Sequence, residues 1–357
     1  MIMSGTKTYY HSIDVFRFIC AIFVVTVHIT SQISSYGIAT WANYYSYRYL
    51  LDIGSPFFLM AAGFIIFRKS TEQGPSYLLT YGKKILSYFI VFSLFYMVAR
   101  VAVEASSAYV LNESITEAIR TQLNQWSALN VLNGSIGSFQ LYFLVLLLYS
   151  ALFLYGLLRL RIHPLGIFAI AVALYGLENI GYFESIQLFQ YKSFAFGFLY
   201  VVLGYTLSYT KDKISYRAPW FYTLLFAGAY VANYYYQLGL AWILLPLFAF
   251  SLGTLCVQYP NIGKGTILTK LSSYSLAIYT LHIFVELLVL KGVALAGWTD
   301  YYMSPLYYMG TIILCIVLPI FLFRPIYHSA LWIKEKCLFT LKRKTSENEP
   351  FQQKQIG

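Results

Sequence analysis

"SIDVFRFICAIFVVTVHITS", residues 12–31, is long and apolar enough to cross a bilayer, yet it carries Asp14, Arg17 and His28. A helix needs about 20 apolar residues to span the hydrocarbon core. Each ionisable group held inside costs about 2.5–3.5 kcal/mol on insertion scales. A chain that needed only an anchor would have leucine there, so these three groups are candidates for chemistry. Arg17 and His28 are eleven residues apart. At 100° per residue that is three turns plus about 20°, so they point the same way, about 16 Å apart along the axis. Asp14 precedes Arg17 by three positions and shares the stripe.

The rest of the chain repeats the apolar pattern. It has 357 residues, 59% hydrophobic and 11% charged, with mean hydropathy +0.62. No soluble globular domain has that balance; it specifies an all-α polytopic membrane protein. Runs of bilayer length are expected near 12–33, 48–67, 84–104, 139–159, 164–182, 190–209, 219–236, 240–258, 271–291 and 305–324, about ten transmembrane helices. Basic residues concentrate in cytoplasmic loops. With the N-terminus inside, the outer side holds only Arg48, Arg120, Lys192 and Lys291, with Arg100 toward the outer end of the third span. The other lysines and arginines fall inside, which predicts N-in/C-in topology. The expected division is a transmembrane domain over 1–328 and a basic, polar cytoplasmic tail over 329–357.

The net charge of +11 is dispersed through short loops and helix ends, so it serves topology and the lipid bilayer, not nucleic acid. Cys20, Cys256, Cys315 and Cys337 form no C-x-x-C pair, and neither a disulfide framework nor a zinc-type site is expected. The first apolar run has no small-residue cleavage site after it and is expected to stay as a span. The longest outer segment, 105–138, contains Ser114-Ile-Thr-Glu117, a capping-box pattern ahead of Ile115, Ile119, Leu123 and Trp126. It reads as a short amphipathic helix across the outer mouth, or as a solvated loop with one helical turn.

Each polar candidate has a structural and a functional reading. Arg17 at a cytoplasmic helix end either snorkels to headgroups or grips an anion. His28, in the outer half of the membrane, is either hydrogen-bonded inside the bundle or an acid/base group, since imidazole titrates near neutral pH. His282 and Glu286 are one turn apart on the ninth span. They read as a second acid/base pair or acceptor contacts, or as a buried hydrogen-bonded pair. Glu178 and Glu184 are sugar contacts or solvated carboxylates. No P-loop, G-x-S-x-G, H-E-x-x-H or dinucleotide fingerprint is present.

The pattern Ile13-Asp14-x-x-Arg17, then ten residues, then His28, resembles the first helix of acyltransferase family 3, the integral membrane O-acyltransferases. "SPFFLMAAGFIIF" (55–67) is similar to that family's FF-x-x-SGF second helix, and "YGKKILSYFIVF" (81–92) to its basic third-helix start. "FQLYFLVLLLYSALFLY" (139–155), "FGFLYVVLGYTLS" (196–208) and "LSSYSLAIYTLHIF" (271–284) resemble later segments, in order over most of the chain. There are departures. Ala62 replaces the usual Ser before Gly63, Gln140 stands where relatives often have His, and Lys83 and Lys84 replace arginines. Lysine is a point-charge phosphate ligand without arginine's fork.

The resemblance implies transfer of an acyl group, usually acetyl, from cytoplasmic acyl-CoA to a hydroxyl of a cell-envelope glycan or its lipid-linked precursor. Acyl-CoA is then a co-substrate, with no permanently bound cofactor. His28 is the expected base, with Asp14 pairing with and orienting Arg17. Arg17, Lys83 and Lys84 hold the CoA phosphates, with Arg68 and Lys69 adding to the field or only marking topology. His282, Glu286 and Gln140 are candidate acceptor contacts. A bacterial plasma membrane is the expected location, with glycan-assembly proteins as possible partners. The rival reading is a transporter or exporter of a polysaccharide intermediate or small metabolite, whose intramembrane Asp, Arg, His and Glu would line a path. A third is a non-catalytic partner of a glycan synthase.

Overall fold

The computed structural model describes residues 8–35, 49–183, 186, 194–213 and 217–348, and every regular element among them is helical. Lys7, Arg48, Glu184, Lys192, Lys354 and the chain after Asn348 lie outside the described residues. In order, the helices are α1 (His11–Ser35), α2 (Gly54–Gln73), α3 (Tyr77–Val110), α4 (Ile115–Asn124) and α5 (Ala128–Leu132). A single 3-10 turn, Phe139–Leu141, leads into α6 (Tyr142–Arg159). Then follow α7 (Pro164–Asn179), α8 (Phe194–Thr210), α9 (Pro219–Tyr235), α10 (Ala241–Gln258), α11 (Ile267–Leu271), α12 (Ser275–Leu295) and α13 (Pro305–Asn348).

All ten expected spans coincide with helices. Among the described residues, seven are long and apolar enough to cross a membrane: α1, α2, α3, α6, α10, α12 and α13, several with a flanking turn. The other three, α7, α8 and α9, have 16, 17 and 17 residues. Sixteen residues rise about 24 Å, short of the ~30 Å hydrocarbon core. Two helices overrun expectation instead. α3 continues through Glu104-Ala-Ser-Ser-Ala, which contains no breaker, until Asn112 turns left-handed at φ 56°. α13 passes Pro319 and Pro325 and stays helical to Asn348. Half of the capping box is present: Ser114 Oγ accepts from the Glu117 N–H at 3.3 Å, opening α4.

The core is organised around α8, which is buried on nearly all sides, as a helix that is apolar all round should be. α2, α6, α7 and α10 surround it. Lipid tails are as apolar as leucine, so helices in a bilayer associate through close packing of small residues. Here Gly63 and Gly204 set the approach of α2 and α8. A Cβ on Gly63 would lie 1.8 Å from the Val201 carbonyl oxygen, and one on Gly204 1.8 Å from that of Met60. On the other side, α1 packs against α2, α12 and α13, and α12 also packs against α3. That second group carries Asp14, Arg17 and His28 on α1 and His282 and Glu286 on α12. Cys20, Cys256 and Cys315 are free and buried.

Candidate active site

Arg17 and Asp14 pair one helical turn apart, with Nη1 3.5 Å from Oδ1. Asp14 also accepts a hydrogen bond from the Tyr9 hydroxyl. That bond, with some burial, pushes the Tyr9 phenol above its ordinary range, so Tyr9 stays the donor at neutral pH. The expected Asp14–Arg17 pairing is therefore present, and it fixes the guanidinium where two cavities meet.

The first cavity, of about 420 Å³, is lined near its mouth by Arg17, Tyr77, Thr80, Tyr81, Lys84 and Tyr88. The Lys84 ammonium lies 5.9 Å from the centre of the Tyr88 ring, within cation–π range. Lys83 is exposed and lines neither cavity. Lys84 is exposed as well, so the two differ in which of them lines the cavity and not in burial. The second cavity, of about 400 Å³, is lined by Tyr9, Tyr10, Asp14, Arg17, Arg68, Lys69 and Glu72 together with Ile13, Phe64 and Ile65. Arg68 and Lys69 thus stand beside Arg17, which their sequence positions alone do not reveal.

Inward, the first cavity closes on Phe58, Phe143 and Tyr279. Tyr279 packs on Phe143 at 4.6 Å and on Phe58 at 5.7 Å between ring centres. One further step reaches two imidazoles: the Tyr279 ring is 6.2 Å from His282, and His282 stacks on His28 at 5.2 Å with 28° between planes. Phe139 meets the other side of His28 edge-on at 4.9 Å. Arg17 and His28 therefore share the interior stripe read from their spacing, but the cavity at Arg17 ends at Tyr279, one ring from His282 and two from His28.

His282 is fully buried. Its Nδ1 lies 2.9 Å from the Ile278 carbonyl oxygen. A carbonyl only accepts, so the proton sits on Nδ1 and Nε2 is a bare acceptor. Nε2 has no hydrogen-bond partner among the described residues, and neither has Oε1 of Glu286, which is 3% exposed. The expectation of a buried pair on one face holds for position but not for bonding: no hydrogen bond joins them. Atoms on Ser93, Ser150, Tyr200, Thr206 and Ser208 share that state, so what sets these two apart is their chemistry, an imidazole nitrogen and a carboxylate oxygen one turn apart. Cys315 Sγ donates to the His282 carbonyl oxygen at 3.4 Å, anchoring α12 to α13.

Gln140 is fully buried but serves α12 more than an open site. It accepts from Ser138, and its Nε2 donates to the Tyr96 hydroxyl at 2.7 Å and the Thr280 carbonyl at 3.3 Å. The Tyr96 hydroxyl donates to that same carbonyl at 2.9 Å and accepts from the Phe284 N–H at 3.1 Å. A helix ordinarily pairs residues 280 and 284 with each other; His282 lies between them. Gly137 makes the network possible. Its φ of 76° is left-handed, and its α-carbon faces the Ser93 carbonyl and Tyr96 Cβ, where an added Cβ would stand 3.0 Å from each. Tyr96 carries no sequence signal, being one tyrosine in an apolar run. Glu178 and Arg100 line neither cavity.

The family profile described as an acyltransferase domain matches residues 10–324. That range includes every site residue above except Tyr9. No curated protein and no solved structure matches the chain. A profile over nearly the whole length, on a bundle of membrane-length helices with a polar interior, leaves one assignment: the chain belongs to acyltransferase family 3 and is a multi-pass membrane acyltransferase.

Proposed function

We propose that this protein moves an acyl group, acetyl in the first instance, from cytoplasmic acyl-CoA to a hydroxyl of a cell-surface glycan or a lipid-linked glycan precursor at a bacterial plasma membrane. One observation carries the reading. One cavity is lined both by Arg17 and Lys84, two cations suited to phosphates, and by Tyr279, whose ring lies 6.2 Å from His282, which stacks on His28. A coenzyme A thioester has the same order of parts: charged phosphates, a long neutral arm, then a reactive carbonyl.

In this reading Arg17 and Lys84 hold phosphate oxygens by charge-assisted hydrogen bonds, and the arm lies along the cavity past Tyr81 and Ile85. The Tyr279 ring moves aside to bring the thioester to His28. His28 takes the proton of the acceptor hydroxyl as its oxygen bonds to the thioester carbonyl carbon. The tetrahedral intermediate collapses, the carbon–sulfur bond breaks, and the leaving thiolate receives the proton from His28. The product ester stays with the acceptor. His282 holds the His28 ring by stacking, and Glu286 lies one turn beyond His282, toward the acceptor.

The test is acyl transfer in nanodiscs from radiolabelled acetyl-CoA to envelope glycan, comparing wild type with His28→Ala. Labelled glycan from wild type and none from the variant supports the reading. Undiminished labelling by the variant removes His28 as the base. No labelling with any acceptor, alongside solute flux in liposomes, favours the transporter.

A further inference from the structure

We infer that the second cavity is a separate seat for the 3′-phosphorylated adenosine end of acyl-CoA, with Arg68 reading the 3′-phosphate; this rests on the acyl-CoA reading above. The two cavities lie at one end of the bundle and share Arg17 and Ile65 as common walls. They differ in chemistry. Beyond Arg17, the first holds a single cation, Lys84, and continues into an apolar, aromatic bore. The second is more strongly charged, with Asp14, Arg17, Arg68, Lys69 and Glu72 in its wall against Arg17 and Lys84 in the first.

Its charges are not equally available. Three cations, Arg17, Arg68 and Lys69, face two carboxylates, Asp14 and Glu72. Asp14 is engaged by Arg17 and Tyr9. Lys69 Nζ lies 3.7 Å from Glu72. Arg68 makes no ion pair among the described residues; its guanidinium instead stands 5.4 Å from the centre of the Tyr10 ring. Tyr10 is itself held edge-on by Phe64 at 5.0 Å. A guanidinium on an aromatic face keeps its in-plane N–H fork for an oxyanion. Tyr9, 60% exposed, adds a ring at the rim on which a flat base can stack.

Acyl-CoA divides the same way. The neutral arm suits the bore. The pyrophosphate, which joins arm to nucleoside, suits the shared wall at Arg17. The ribose 3′-phosphate and adenine suit Arg68, Lys69 and the two tyrosines. Arg17 then sits at the bend of the ligand, and Lys84 and Arg68 serve different phosphates.

The experiment measures binding of coenzyme A and 3′-dephospho-coenzyme A to the full chain in nanodiscs. One charge-assisted contact predicts that wild type prefers coenzyme A about tenfold or more. Arg68→Ala, and Arg68→Gln as a milder change, should abolish that preference while leaving 3′-dephospho-coenzyme A affinity unchanged, which also shows that the variants are folded. Lys84→Ala should weaken both compounds alike. Equal binding of the two by wild type, or a preference that survives in both Arg68 variants, overturns the assignment. Binding of neither compound by wild type overturns the acyl-CoA reading itself, and this assignment with it.

Discussion

The hydroxyl of Tyr96 on α3 donates to the Thr280 carbonyl of α12 at 2.9 Å while accepting from the Phe284 N–H, so one phenol from α3 bridges the turn of α12 that carries His282. Gln140 donates to the same hydroxyl. Tyr96→Phe should therefore act twice. It leaves buried groups without their partner, at a cost of about 1–3 kcal/mol, and it loosens the turn that aims His282 at His28. The expected outcome is a lower midpoint of thermal unfolding in detergent with slower turnover and little change in acetyl-CoA affinity. Unchanged stability and turnover would show that the bridge does nothing.

Gly63→Ala and Gly204→Ala should each prevent α2 and α8 from meeting. The added methyl would stand 1.8 Å from a backbone carbonyl oxygen in both cases, and backbone cannot rotate away as a side chain does. Overpacking of this kind costs about 1–3 kcal/mol or more. Gly156→Ala on α6 is the control, because nothing lies within 4 Å of its added Cβ. Size-exclusion profiles of tagged variants should show loss of the folded peak for the first two and none for the third. A normal profile for Gly63→Ala would mean that the crossing is wider than described.

Spacing made part of this legible. A helical period is fixed, so Arg17 and His28 could be placed on one stripe from their separation alone, and hydropathy located every membrane-length helix. Helix ends were less legible: the run Glu104-Ala-Ser-Ser-Ala permits either a loop or more helix, and only the left-handed turn at Asn112 decides. The role of Tyr96 was hidden because a tyrosine in an apolar segment looks the same whether it faces lipid or a neighbouring helix. Sequence leaves Arg68 open between the phosphate field and a topology marker, because its partner, Tyr10, is 58 residues away and meets it only when α2 folds back beside α1. The stacking of His28 on His282 likewise joins two helices 254 residues apart.

Lys83 and Lys84 were indistinguishable as a dipeptide, and the helix separates them. Both are exposed, but Lys84 lines the cavity with Arg17 and Lys83 does not. Lys84→Ala should raise the apparent Kd for acetyl-CoA about tenfold, the scale of one lost charge-assisted contact. Lys83→Ala should change it less than twofold, as a surface charge does. Equilibrium binding at fixed ionic strength is the measurement, because salt screens exposed charges. Equal losses in the two variants would mean that the phosphates are held outside the cavity.

His28 is joined to the cavity at Arg17 through two rings, Tyr279 in the cavity wall and His282 beyond it. Removing it should therefore leave donor binding intact and abolish chemistry. His28→Ala is expected to lower turnover by about 10²–10⁴, the range for loss of a positioned general base, with acetyl-CoA affinity unchanged. His282→Phe keeps a ring against His28 and removes the bare Nε2 together with the Nδ1–H that the Ile278 carbonyl accepts. If His282 acts by stacking alone, that variant should retain most of the turnover. If Nε2 takes part in moving the proton, it should fall nearly as far as His28→Ala. Loss of donor affinity in His28→Ala would contradict the separation of the two sites, because it would place the imidazole in the donor cavity and not beyond it.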